Sequence, residues 1–117
     1  MKKQSQKPKE WQEYILPAVI KLGYQDIAVS EFSFLDGEQG AYSADAAKIR
    51  INEGMEGREL LNTLLHECLH AIVYTYGLKK DFKDDDEEEK LVNAFGNGLT
   101  ELLVRNPEVV EFIRKTV

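Results

Sequence analysis

The sequence predicts an α+β fold, a small antiparallel or mixed sheet packed on a long helix and a following C-terminal helix. Three observations predict it. Apolar residues alternate in "YQDIAVSEFSFL" (Tyr24 to Leu35) and again in "KIRIN" (Lys48 to Asn52). Helical periodicity runs through "LLNTLLHECLHAIVYTYG", from Leu60 to Gly77. A second helical pattern, Leu91 to Val104, follows an acidic run. With 117 residues, 43% hydrophobic and 31% charged, the chain has the size and balance of one globular domain.

Taken in order, residues 1–9 are polar and lysine-rich and predict a disordered basic tail, leaving 10–117 as the single domain. No apolar run of signal-peptide or membrane-spanning length follows, and Cys68 is the one cysteine, so a cytoplasmic, non-membrane protein is expected. A net charge of -6 and a pI near 5.0 argue against a nucleic-acid surface. Oligomeric state is not legible. Glu10 to Leu22 carries Trp11, Tyr14, Ile15, Ala18, Val19 and Leu22 at helical spacing, with Pro17 as a kink or late start and Gly23 as a stop. "DGEQG" is a turn between extended stretches, and "EGMEG" a loop that opens the long helix. Lys79 to Lys90 is a charge run, predicted as a solvated loop whose acids favour the first turn of the next helix. Leu91, Val92, Phe95, Leu99, Leu102 and Leu103 give that helix its apolar positions. Asn106 and Pro107 then read as N-cap and first residue of a short amphipathic helix.

The long helix contains both histidines of the chain in the pattern H-E-x-x-H: His66, Glu67, His70. On a helical wheel Leu61, Leu64, Leu65, Cys68, Leu69, Ile72 and Tyr76 fill one broad side, the expected core face. His66 and His70 lie one above the other on a different edge, with Thr63, Glu67 and Tyr74 on the flank beyond. Histidines at i and i+4 can converge on one zinc ion, and the intervening carboxylate can act as general base on a water in the open coordination position. The expected activity is zinc-dependent hydrolysis of an amide bond in a peptide or protein. Cys68 points to the core and reads as a small hydrophobe.

A catalytic zinc needs a third protein ligand, and with no histidine left it must be Asp or Glu from another element. Glu88 and Glu89 both qualify. Glu88 shares a face with Val92 and Phe95; Glu89 lines up with Asn93 and Gly96, where a small residue permits close helix packing and the asparagine offers a supporting hydrogen bond. Tyr74, and also Tyr42, are candidates to steady a developing oxyanion, each with aromatic packing as its ordinary alternative.

These motifs resemble the gluzincin-like metallopeptidase domains of the ImmA/IrrE group, and small phage- or prophage-encoded relatives. There a strand precedes the H-E-x-x-H helix, and a glutamate in a pattern like E-x-x-A-N-x-F-A on the next helix completes the zinc site. The present chain reads "EKLVNAFG" from Glu89 to Gly96, with Val92 and Gly96 in place of the alanines and Asn93 and Phe95 matching. The resemblance, covering roughly Ile49 to Leu103, implies a minimal zincin-like domain with His66, His70 and Glu89 as ligands and Glu67 as general base. A different class remains in view: a non-catalytic binding or structural phage accessory protein on the same scaffold.

Overall fold

The computed structural model describes residues 16–117. Four strands, β1 (Val19–Leu22), β2 (Gln25–Phe32), β3 (Gly40–Ser43) and β4 (Lys48–Asn52), are followed by three helices, α1 (Gly57–Thr75), α2 (Asp85–Arg105) and α3 (Pro107–Thr116). The fold is α+β. The sheet has the order β1-β2-β4-β3: β2 and β4 are parallel, and the two outer pairs are antiparallel. It is mixed because β4 inserts between β2 and the strand that precedes it in sequence.

One face of the sheet is buried. Gln25, Ile27 and Val29 of β2, with Ile49 and Ile51 of β4, point inward, while their alternating neighbours are exposed. That is the period-2 pattern read from the sequence. Leu60 and Ala71 of α1 close on the four aliphatic residues, with Leu64 and Cys68 packed alongside. The other flank of α1 packs on α2. The layers are therefore sheet, α1, α2, and the H-E-x-x-H helix is the middle one.

Two expectations change here. Val19–Leu22 is a strand, not the end of a helix; the earlier part of that predicted helix, and the basic tail, lie outside the described residues. In "VIKL" the helical spacing coincides with a period-2 pattern that packs Ile20 and Leu22 on the core. Gly23 ends no helix but turns the β1–β2 hairpin at φ 59, pairing Leu22 with Gln25. A β-carbon there would also sit 2.5 Å from the Thr75 methyl, so the turn needs glycine twice over. Gln25 Nε2 donates to Thr75 Oγ1 (3.1 Å), tying this hairpin to the end of α1.

The second change concerns the face of α1. Its buried residues are Leu60, Thr63, Glu67, Ala71 and Val73. Of the expected core stripe only Leu64 and Cys68 join the sheet core; Leu61 and Leu65 are half-buried, while Ile72 and Tyr76 are exposed. A helix between two layers buries two narrower stripes rather than one wide one.

The acidic run resolves residue by residue. Asp84 caps α2, its carboxylate accepting from Glu87 N–H (2.9 Å), and Glu87 in turn accepts from Lys83 N–H (2.7 Å). Asp85 pairs with Lys79 at 2.9 Å. At the far end Asn106 holds the N-cap position of α3, but its side chain donates back to Leu102 O (2.7 Å) in place of capping the new helix.

Candidate metal centre

His66 and His70 sit one turn apart on the edge of α1 where it meets α2. Gly96 of α2 faces His66 Cα and Leu69, so the two backbones run close. Asn62 and Asn97 join the helices one turn earlier (2.8 Å). This approach carries Glu89, near the start of α2, over the two rings. His66 Nε2 and His70 Nε2 are 3.2 Å apart, and Glu89 Oε1 lies 3.2 Å from the first and 2.8 Å from the second. Among the described residues, His66, His70 and Glu89 form the group whose ligand atoms all lie within 4.8 Å of one another.

These distances suit a metal. Ligands about 2.05 Å from zinc at tetrahedral angles stand about 3.3 Å apart. The histidine pair has nearly that spacing, and the carboxylate would open by a few tenths of an ångström. The donor set, two imidazoles and one carboxylate, is the kind that leaves a fourth zinc position free. Glu89 is about half exposed, at 50% of its side chain.

Glu88 does something else. Its carboxylate is buried, and Oε2 accepts from His70 Nδ1–H at 2.6 Å. Oε1 accepts from Lys79 Nζ at 2.7 Å. Burial alone would raise its pKa, but the Lys79 and His70 hydrogen bonds outweigh it and hold the carboxyl below its usual value. An ionised Glu88 can only accept, so the His70 proton stays on Nδ1 and the Nε2 lone pair turns toward Glu89 and His66. Adjacent glutamates thus face opposite nitrogens of one ring. The supporting hydrogen bond expected from Asn93 is supplied by Glu88 instead.

Glu67 lies on the sheet side of the same edge, 6% exposed. Burial pushes its carboxyl up to about 7; the Glu89 and Glu38 charges add to the rise, while His70 and the Tyr42 backbone N–H oppose it. A carboxyl titrating near 7 is matched to proton transfer at neutral pH. It can be buried there because β3 opens with Gly40, where a β-carbon would stand 3.2 Å from Glu67 Oε2 and 2.9 Å from the Thr63 methyl. Cys68, one residue on, faces the core, where burial first and the Glu67 charge second push its thiol up to about 11.

Two clefts meet at this point and share Glu38, Gly40, His66, Glu67 and Glu89. One, about 500 Å³, extends past Tyr42 and Tyr74 toward Lys79 and Asp85. The other, about 410 Å³, is walled by amides and acids: Gln39, Glu59, Asn62, Asn93 and Asn97. Tyr74 stands on the wall of the first, edge-on to Tyr42 with ring centres 6.4 Å apart, and a hydrogen bond shared with Tyr24 raises its pKa. Tyr42 turns its hydroxyl away, donating to Gln25 Oε1 (3.1 Å), and lines the cleft with the rest of its side chain. Sequence reading missed Gly40, the Glu88 hydrogen bond to His70 Nδ1, and Lys79. Only the glycine at the start of "GAYS" offered a signal.

The described residues thus contain a compact domain with a clustered His/His/Glu triad of the zincin type, able to coordinate a metal ion. No described helix is long and apolar enough to cross a membrane. Comparison with family models, with curated proteins and with solved structures found no significant match.

Proposed function

We propose that the chain is a zinc-dependent peptidase similar to the ImmA/IrrE group, with His66, His70 and Glu89 as metal ligands and Glu67 as general base. The convergence of His66 Nε2, His70 Nε2 and Glu89 Oε1 beside a buried carboxylate carries the reading. Zinc held by these residues supplies Lewis acidity, acidifying a water and polarising a carbonyl. Glu88 and Lys79 keep His70 oriented. Glu67 takes a proton from the attacking water and returns it to the departing amine. Tyr74 lines the cleft, which supports a role for it in steadying the developing oxyanion. Among the described residues β3 pairs on one side only, with β4. Its free edge offers main-chain hydrogen bonds to an extended peptide lying along the cleft.

The test measures zinc content and peptide-library cleavage for wild type, E67A, E88A and E89A. About one zinc per chain is expected in wild type and E67A, with a large loss in E89A and cleavage by wild type alone at an appreciable rate. Zinc retained at wild-type affinity in E89A would sink the three-ligand site. Zinc bound tightly by a wild type that cleaves nothing would leave a binding protein on this scaffold.

A further inference from the structure

We propose that the outer faces of α2 and α3 are the interface with a second copy of this chain, in a two-fold pair with the two α3 helices antiparallel. α3 has ten residues and none is buried. Isolated helices shorter than about 12–15 residues are marginal in water, and an amphipathic one is held mainly by what its apolar side packs against. In α3 that side is open: Val109 is 38% exposed, Ile113 44% and Phe112 69%. α2 continues it. Glu88, Val92, Gly96 and Thr100 are the buried row of α2, on the side that packs against α1. The adjacent row Leu91, Phe95, Leu99 and Leu102 is 38–56% exposed.

The area is what a stable pair needs. These seven side chains leave on the order of 700 Å² of apolar surface open on each chain, against roughly 800 Å² per partner in a standard-size interface. The charges specify the partner. In "PEVVEFIRKT" the acids, Glu108 and Glu111, fall in the first half of α3 and the bases, Arg114 and Lys115, in the second. Antiparallel pairing sets the acidic end of each copy against the basic end of the other. The lysine-rich stretch 1–9 has one sign only and would add like charge beside Arg114 and Lys115. Glu89 lies on a different flank of α2 from the Phe95 row, so association leaves the metal cleft open.

Sedimentation velocity on the full chain with zinc, from about 1 to about 200 µM, should give twice the 13.4 kDa chain mass at the upper end. F112E/I113E should be monomeric with wild-type zinc stoichiometry, and any loss of helical circular dichroism should not exceed the share of the ten α3 residues. R114E/K115E alone and E108K/E111K alone should each raise the dimer Kd at least tenfold, and an equimolar mixture of the two should restore association. A full chain that stays monomeric throughout, a dimer indifferent to F112E/I113E, or a mixture that fails to associate would overturn the proposal. So would dimerisation appearing only after deletion of residues 1–15, which would assign this surface to the chain's own N-terminal segment.

Discussion

Replacing Gly40 with alanine should separate the metal ligands from the general base. Gly40 is not at positive φ, so alanine suits the backbone and the effect is purely steric. The new methyl would meet Thr63 Cγ2 at 2.9 Å, Arg50 O at 3.2 Å and Glu67 Oε2 at 3.2 Å, where ordinary contact begins at 3.4 Å. Relief requires a shift of about half an ångström. Such overpacking costs about 1–3 kcal/mol, a fall in Tm of roughly 4 °C or more per kcal/mol. β3 is a four-residue edge strand paired on one side, so it is the element that yields. Its movement, and the methyl itself, displace the Glu67 carboxylate that Gly40 packs against. A displacement of that order at a reacting group lowers turnover by about 10- to 100-fold. The zinc ligands sit on α1 and α2, so zinc affinity should stay within about threefold, or about 0.6 kcal/mol, of wild type. Thr63→Ser removes the nearest methyl. G40A/T63S should therefore show a favourable coupling of at least about 0.5 kcal/mol in urea melts. Additive stabilities, or zinc lost along with activity in G40A, would refute this division of the site.

Three further outcomes follow from the same geometry. Glu88→Gln keeps the shape but loses the charge that anchors His70 Nδ1–H; zinc affinity by competition titration should fall about 10- to 100-fold, with one zinc still bound at saturation. Glu67→Gln should stabilise the metal-free protein, and only at high pH. The folded chain holds this carboxyl near 7 against an ordinary 4.5, so folding carries no penalty below pH 4.5, loses stability as pH rises through that window, and bears the full cost above it. At about 1.4 kcal/mol per pH unit that cost is about 3 kcal/mol, so urea melts should separate the variant from wild type at pH 8 and not at pH 4. Zinc at a hundredfold over its Kd should add about 2.7 kcal/mol to wild-type stability, a thermal shift that chelator removes and that E89A lacks.

Much of the fold was legible because two periods were clean. β2 and β4 place every second residue in the core, and H-E-x-x-H needs only the helical repeat to stack its histidines. What failed did so for identifiable reasons. "VIKL" satisfies both a helical and a strand period, and only the pairing of Ile20 with Ile27 decides between them. The face of α1 was misjudged because a wheel shows one hydrophobic sector, whereas a middle layer is defined by neighbours on two sides. Glu88 and Glu89 could not be told apart by periodicity, since both face the histidines from successive positions. Their difference is a matter of which ring nitrogen each reaches, 2.6 Å from Nδ1 for one and 2.8 Å from Nε2 for the other.

The layering explains why the motif tolerates a small scaffold. Metal ligands must come from two elements whose relative position is fixed, and the α1–α2 seam provides it through Gly96 and the Asn62–Asn97 bond. A base with a raised pKa needs burial without compensating partners; at that seam the buried Glu88 is held ionised by Lys79 and His70, and Glu89 is half exposed. The sheet side of α1 can give it, and Glu67 is one residue round the helix from His66. That one-residue step therefore turns the carboxylate from the α1–α2 edge toward the sheet, where it is buried. Gly40 permits that burial, and His70 opposes the resulting rise by favouring the ionised form. Lys79 works on the opposite side in the same sense, holding Glu88 charged beside His70. The two glutamates outside the His66, His70 and Glu89 cluster flank it from opposite sides, and each owes its pKa to a different cause: burial under β3 for Glu67, the Lys79 ammonium for Glu88.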